Sequence, residues 1–144
     1  MYVQSNPILT HVTISNNTAN NSGGGMYISY YSNPILTNVT ISNNTANLLG
    51  GGLLLGNRSN LLVTNSIIWN NLPESISINN NQSPNLEPVP SITTISYSNI
   101  EDGEAGIITS DNDSLYWNEG NIDQDPLFTD PENGDFTLQT GSTC

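Results

Sequence analysis

The sequence predicts an all-β fold, a right-handed parallel β-helix of about four coils. Three observations predict it: a 27-residue internal repeat, short alternating apolar runs inside each repeat, and abundant Asn and Gly at fixed places between those runs.

The repeat comes first. Ser5-Asn6-Pro7-Ile8-Leu9-Thr10 returns as Ser32-Asn33-Pro34-Ile35-Leu36-Thr37, and Val12 to Asn20 returns as Val39 to Asn47. Gly23-Gly24-Gly25 returns as Gly50-Gly51-Gly52, so that 18 of 27 aligned positions are identical. A third copy keeps Ser59-Asn60, Thr64, Ile68 and Asn70-Asn71 in register, then shortens, so that Ile76 and Ile78 align with Leu53 and Leu55. The expected coils are 5–31, 32–58, 59–83 and a looser coil at 91–100 that follows a Pro-rich loop at 84–90. Residues 1–100 are assigned to the coils and 101–144 to an irregular acidic segment that caps the solenoid.

Within a repeat, Val12 and Ile14, then Met26 and Ile28, alternate with period two, which is the pattern of half-buried strands. One 27-residue unit cannot bury its apolar face alone, whereas stacked copies can. Stacking places Leu9, Leu36 and Val63 in one inward column. Ile14, Ile41 and Ile68 form a second, and Met26, Leu53 and Ile76 a third. Asn16, Asn43 and Asn70 stack likewise, as do Asn17, Asn44 and Asn71. An amide side chain both donates and accepts, so on rungs about 4.8 Å apart these columns can chain hydrogen bonds along the axis. Asn also tolerates the left-handed backbone of sharp corners. Seven Asn-x-Ser/Thr sequons follow from this composition and are not read as glycan sites.

Charge excludes some functions. Only 10% of residues are charged, against about a quarter in ordinary domains, and the formal net charge is -12. There is no Lys, Arg58 is the single strong cation, and eleven of the thirteen acids lie from Glu101 to Asp135. Without a basic patch the chain is not expected to bind nucleic acid. No apolar run approaches the roughly 20 residues of a membrane span, so membrane insertion is not expected either. Met1 is not followed by a signal-peptide pattern, and repeat sequence begins at Ser5, which predicts a segment of a longer chain.

The repeats resemble those of the pectate-lyase-like superfamily of right-handed parallel β-helices. Gly24-Gly25-Met26-Tyr27 and Ile14-Ser15-Asn16-Asn17 are similar to the Gly-Gly-Ala-Ile and Phe-x-x-Asn signatures of polymorphic outer-membrane autotransporters, with Ile in place of Phe. Gly120 to Phe128 and Asn133-Gly134-Asp135-Phe136 resemble a closing stretch of large secreted bacterial β-helix proteins. The resemblance implies an extracellular or cell-surface bacterial protein with carbohydrate or adhesive roles.

Candidate chemistry is sparse. A lyase needs a base, but His11, the only histidine, aligns with Asn38 and Asn65 and reads as a ladder residue. A glycosidase needs two carboxylates roughly 5–9.5 Å apart, and only Glu101, Asp102, Glu104 and later acids could supply them. Calcium is the cofactor candidate, with Asp111, Asp113, Asp123 and Asp125 as oxygen donors on alternate positions. Tyr27, Tyr30, Tyr31, Trp69, Tyr97 and Trp117 are candidate platforms for sugar rings. The expected function is a non-catalytic stalk, adhesin or self-associating module; the alternative is a carbohydrate-binding or polysaccharide-degrading domain. The expected partners are adjoining β-helix coils or end-to-end copies of the chain, and glycans. The first coil is the expected contact, since nothing between Met1 and Arg58 carries a charge that would repel a partner.

Overall fold

A computed structural model describes residues 5–79 and 89–144. The first coil contains β1 (Ile8–Thr10), β2 (Thr13–Ser15), β3 (Thr18–Ala19) and β4 (Met26–Ile28). The second repeats it as β5 (Ile35–Thr37), β6 (Thr40–Ser42), β7 (Thr45–Ala46) and β8 (Leu53–Leu55). The third holds β9 (Asn60–Thr64), β10 (Ile67–Trp69) and β11 (Ile76–Ile78), and the fourth β12 (Ile92–Ser96), β13 (Asn99–Ile100) and β14 (Ile108–Thr109). β15 (Ser114–Trp117) adds a further rung, and β16 (Phe128–Asp130) with β17 (Asp135–Leu138) forms an antiparallel pair in the tail.

Equivalent strands of successive coils pair in parallel. The first sheet runs β1-β5-β9-β12-β15, the second β2-β6-β10-β13 and the third β4-β8-β11-β14. The register follows the repeat: Leu9 pairs with Leu36 and Leu36 with Val63, Ile14 with Ile41 and Ile41 with Ile68, and Met26 with Leu53, each at the 27-residue offset, while Leu53 pairs with Ile76 at the shortened one. All three expected columns face the core, and in the second and third coils Leu36, Val63, Ile41, Ile68, Leu53 and Ile76 are fully buried. Fully burying an aliphatic side chain of this size contributes about 1.5–3 kcal/mol. The shortened third copy keeps register because four residues are lost between the second and third sheets, outside the paired strands.

The expected boundary at residue 100 falls inside the fourth coil. Ser77 pairs with Ile108, which closes that coil, and Ile95 pairs with Trp117 on the fifth rung of the first sheet. Only after Ile122, which bridges to Asn99, does the chain leave the stack. The tail then lies back along the outer face of the second sheet. Gln124 N–H donates to Asn99 Oδ1 (3.2 Å), Asn99 Nδ2 donates to Gln124 O (2.6 Å) and to Cys144 Sγ (2.9 Å), and Asn43 Nδ2 donates to Pro131 O (3.4 Å). Phe128 is buried beneath this return and meets Phe136 edge-on, with ring centroids 5.1 Å apart.

The ends of the third repeat (80–83) and most of the expected Pro-rich loop (84–88) lie outside the described residues, as do residues 1–4. Among the described residues no helix is long and apolar enough to cross a membrane.

Candidate functional site

Corner residues set the site. His11, Asn38, Asn65 and Tyr97 occupy one corner column and all take positive φ, from 50 to 56°. Asn16, Asn43, Asn70 and Asp102 form a second such column, with φ from 53 to 63°. In each column one pair of these corner side chains meets across a rung. Asn38 Nδ2 lies 3.4 Å from His11 Nε2, so His11 sits in the ladder as its alignment implied. Asn70 Nδ2 donates to Asn43 Oδ1 at 2.8 Å.

The neighbouring column turns inward. Asn17 N–H and Nδ2 both donate to Asn44 Oδ1 (3.1 and 3.0 Å), and Asn44 N–H and Nδ2 donate to Asn71 Oδ1 (3.0 Å each). Asn44 Nδ2 also reaches Ile14 O, and Asn71 Nδ2 reaches Ile41 O, both at 2.9 Å. Asn44 and Asn71 are buried with these demands met.

Three further ladders are not among the sequence-derived columns. Ser5 N–H donates to Ser32 Oγ, Ser32 N–H to Ser59 Oγ, and Ser59 N–H to Ser91 Oγ. Val39 N–H donates to Ser66 Oγ and Ser66 N–H to Ser98 Oγ. Asn33 Nδ2 donates to Asn6 Oδ1, and Asn60 Nδ2 to Asn33 Oδ1. The signal for two of them is present in the repeat, where Ser5-Asn6, Ser32-Asn33 and Ser59-Asn60 align.

Side chains on the last rungs finish two of these ladders, and other acids accept single backbone N–H groups. Asp113 Oδ1 accepts from Ser91 N–H (2.8 Å), ending the serine column, and Asn121 Oδ1 ends the second (3.0 Å from Ser98 N). Asp123 Oδ1 accepts from Asp102 N–H (3.1 Å), Glu101 Oε2 from Asn70 N–H (2.7 Å) and Glu74 Oε1 from Gly50 N–H (2.6 Å). Asp125 Oδ1 accepts from Leu127 N–H (2.9 Å), a local turn, and Asp111 lies exposed in a turn before β15. The four calcium candidates therefore occupy separate positions, and among the described residues no group of three or more His, Cys, Asp or Glu side chains could hold a metal ion. Desolvation raises the Glu101 pKa above the ordinary carboxylate value, aided by the charges of Asp102 and Asp123 and opposed by hydrogen bonds from the Asn70 and Asn71 backbone.

The aromatic candidates scatter. Trp117 points inward at the foot of the first sheet, packed against the core beside Ile95, so it serves as a core residue. Tyr97 donates to Glu119 Oε1 (2.6 Å), and that bond, then desolvation, raises its pKa. Tyr31 takes a hydrogen bond from Arg58 Nη1 (2.7 Å) and its ring faces the guanidinium at 5.6 Å. Tyr30, beside it, shares its left-handed backbone and is exposed. Tyr27, also exposed, lines a cavity of about 390 Å³ with Asn21, Leu54 and Asn57. Trp69 is half-buried in a cleft of about 330 Å³ between the second sheet and the returning tail, facing Asn43, Asn70, Asp125, Phe128 and Gln139. Only the tail's return brings Asp125 and Gln139 to Trp69.

Residues 1–143 match the family described as a right handed beta helix region. No curated protein and no solved structure matches the chain.

Proposed function

The chain belongs to the right-handed β-helix family, and from that membership we propose that it is a non-catalytic, extracellular segment of a larger bacterial secreted or surface protein, serving as a rigid stalk or adhesive module. The use made of the carboxylates carries this reading. Glu74, Glu101, Asp113 and Asp123 each accept a backbone N–H from a neighbouring rung. A hydrolase on this scaffold needs two carboxylates facing one glycosidic bond across a fixed gap, whereas each of these acids is committed to a backbone N–H of the coil above it. The resemblance of the Gly-Gly and tail motifs to surface and secreted proteins supports the extracellular setting. Incubation with neutral and uronate-containing polysaccharides should yield neither new reducing ends nor unsaturated products. Turnover that disappears in Glu101→Gln would sink the reading.

A second reading, saccharide binding without cleavage, draws on the Trp69 cleft. An indole face offers a stacking surface, and Asn70, Asp125 and Gln139 at its rim offer the amide and carboxylate groups that pair with adjacent hydroxyls. A glycan array should then show retention that Trp69→Ala removes and Tyr27→Ala leaves in place. Equal retention by both variants would dismiss it.

A further inference from the structure

The outward positions of the first sheet carry an apolar column through all five rungs. Ile8, Ile35, Leu62, Thr94 and Tyr116 stack there in register, one from each strand. Ile35 is 37% exposed, Leu62 39% and Tyr116 55%. Ile35 and Leu62 have paired strands on both sides, so their exposure is not an effect of either end of the stack. The other sheets offer no such face: the tail lies over the second, and the third carries buried Leu54 and Ser77 at its centre.

Relief and charge on this face both have a direction along the axis. Thr94 is the small residue of the column, and a groove of about 330 Å³ opens there, lined by Ile35, Leu62, Ile92 and Thr94. The outward positions of the five strands carry no charge, in a chain whose formal net charge is -12. The acids nearest to them, Asp113 and Glu119, flank β15 on the fifth rung, whereas no carboxylate precedes Glu74.

We propose that this face packs side by side against the same face of a second copy, the two solenoid axes running in opposite directions about a two-fold at Leu62. Copies this acidic repel each other, and the first sheet is where they can meet without bringing carboxylates together. The two-fold then sets Leu62 on Leu62 and places Ile35 of one copy over the groove at Thr94 of the other. The exposed ends cover each other, Tyr116 against Ile8, and Glu119 comes level with His11. Parallel axes would instead stack rung on rung, Ile35 on Ile35, and set Asp113 against Glu119. The footprint is small. Five strands about 4.8 Å apart, each giving about five residues of 3.3 Å, cover roughly 24 by 17 Å. That is below the ~800 Å² a side of a standard interface, so the pair is weak and reversible. The inference does not depend on whether the chain binds saccharide.

Sedimentation equilibrium of the full chain from about 10 μM to about 1 mM, the range of weak complexes, should show 15.5 kDa monomers passing into dimers. Leu62→Glu, at an exposed position on the two-fold, should weaken the dimer at least tenfold, and Tyr116→Ser should weaken it too. Leu48→Glu, equally exposed but off this face, should leave it unchanged. A monomer at every concentration overturns the proposal, as does association that Leu62→Glu leaves intact. Orientation has its own readout. A nitroxide on Ile8→Cys, in a Cys144→Ser background, should give an inter-label distance of roughly 22 Å, from four rungs of about 4.8 Å and a sheet gap of about 10 Å. A distance near 10 Å would make the axes parallel and overturn the arrangement.

Discussion

Thr93 stands in an inward column between Leu61 and Leu115, and its Oγ1 is buried with no hydrogen-bond partner among the described residues. A hydroxyl so placed has lost water and gained nothing, at a cost of about 1–3 kcal/mol. Thr93→Val keeps the shape and removes the orphan, so urea denaturation should show a gain of about 1 kcal/mol. Glu101 makes a pH-dependent case. Its folded pKa is raised, so below the ordinary glutamate value both folded and unfolded states hold the proton and no penalty exists. As pH rises through the window between the unfolded and the raised folded pKa, the folded state comes to bear the charge and stability falls. Glu101→Gln keeps an acceptor for Asn70 N–H and removes the charge. It should stabilise the chain at neutral pH and leave it unchanged near pH 3, as thermal melts at both values would show. A gain at low pH would contradict the assigned cause.

At the level of elements, the close stacking of the Gly-rich segments between the second and third sheets decides how near the rungs can come. A side chain at Gly51 would run into the Leu72 carbonyl. Leu72 cannot yield, because its N–H donates to Asn44 O (2.9 Å) and its carbonyl accepts from Ala46 N–H (2.8 Å). Gly51→Ala should therefore cost about 2–3 kcal/mol, the range of overpacking in a rigid site. Gly134 is the control. It has φ +85° but nothing within 4 Å of an added Cβ, so Gly134→Ala should cost only the left-handed backbone strain, about 1 kcal/mol. Similar losses at both positions would mean that the rungs adjust around Gly51.

The whole molecule is a one-dimensional stack in which each coil is held by its neighbours. Inner coils have two neighbours and the first described coil has one, so resistance to opening should be graded along the axis. Hydrogen exchange should find the amides of β6 and β10 slowest and those bonded within β1 and β2 fastest among the core strands. The tail adds a sideways brace that a plain stack lacks, since it ties Asn43 of the second coil and Asn99 of the fourth to one segment. Uniform protection from the first coil to the fourth would show that opening is global rather than graded.

The sequence by itself determined the coil, its three inward columns and the two Asn columns. The physical reason is that a repeat of constant length stacks each residue on its own copy, so alignment in sequence becomes contact in space. His11 could be placed in its ladder for the same reason. Beyond Ile100 that equivalence ends, and only the tertiary structure decided what the remaining residues do. Ile108 and Trp117 join the sheets although no identical residue stands above them, because alternation and parallel pairing select them once the fourth coil is in place. Asp113 and Asp123 show no ligand-like convergence because their neighbours are the last N–H groups of columns whose ends cannot be located before the coils are stacked. Trp69 acquires Asp125 and Gln139 as neighbours only through the return of the tail, a contact between segments more than 50 residues apart that no local pattern encodes.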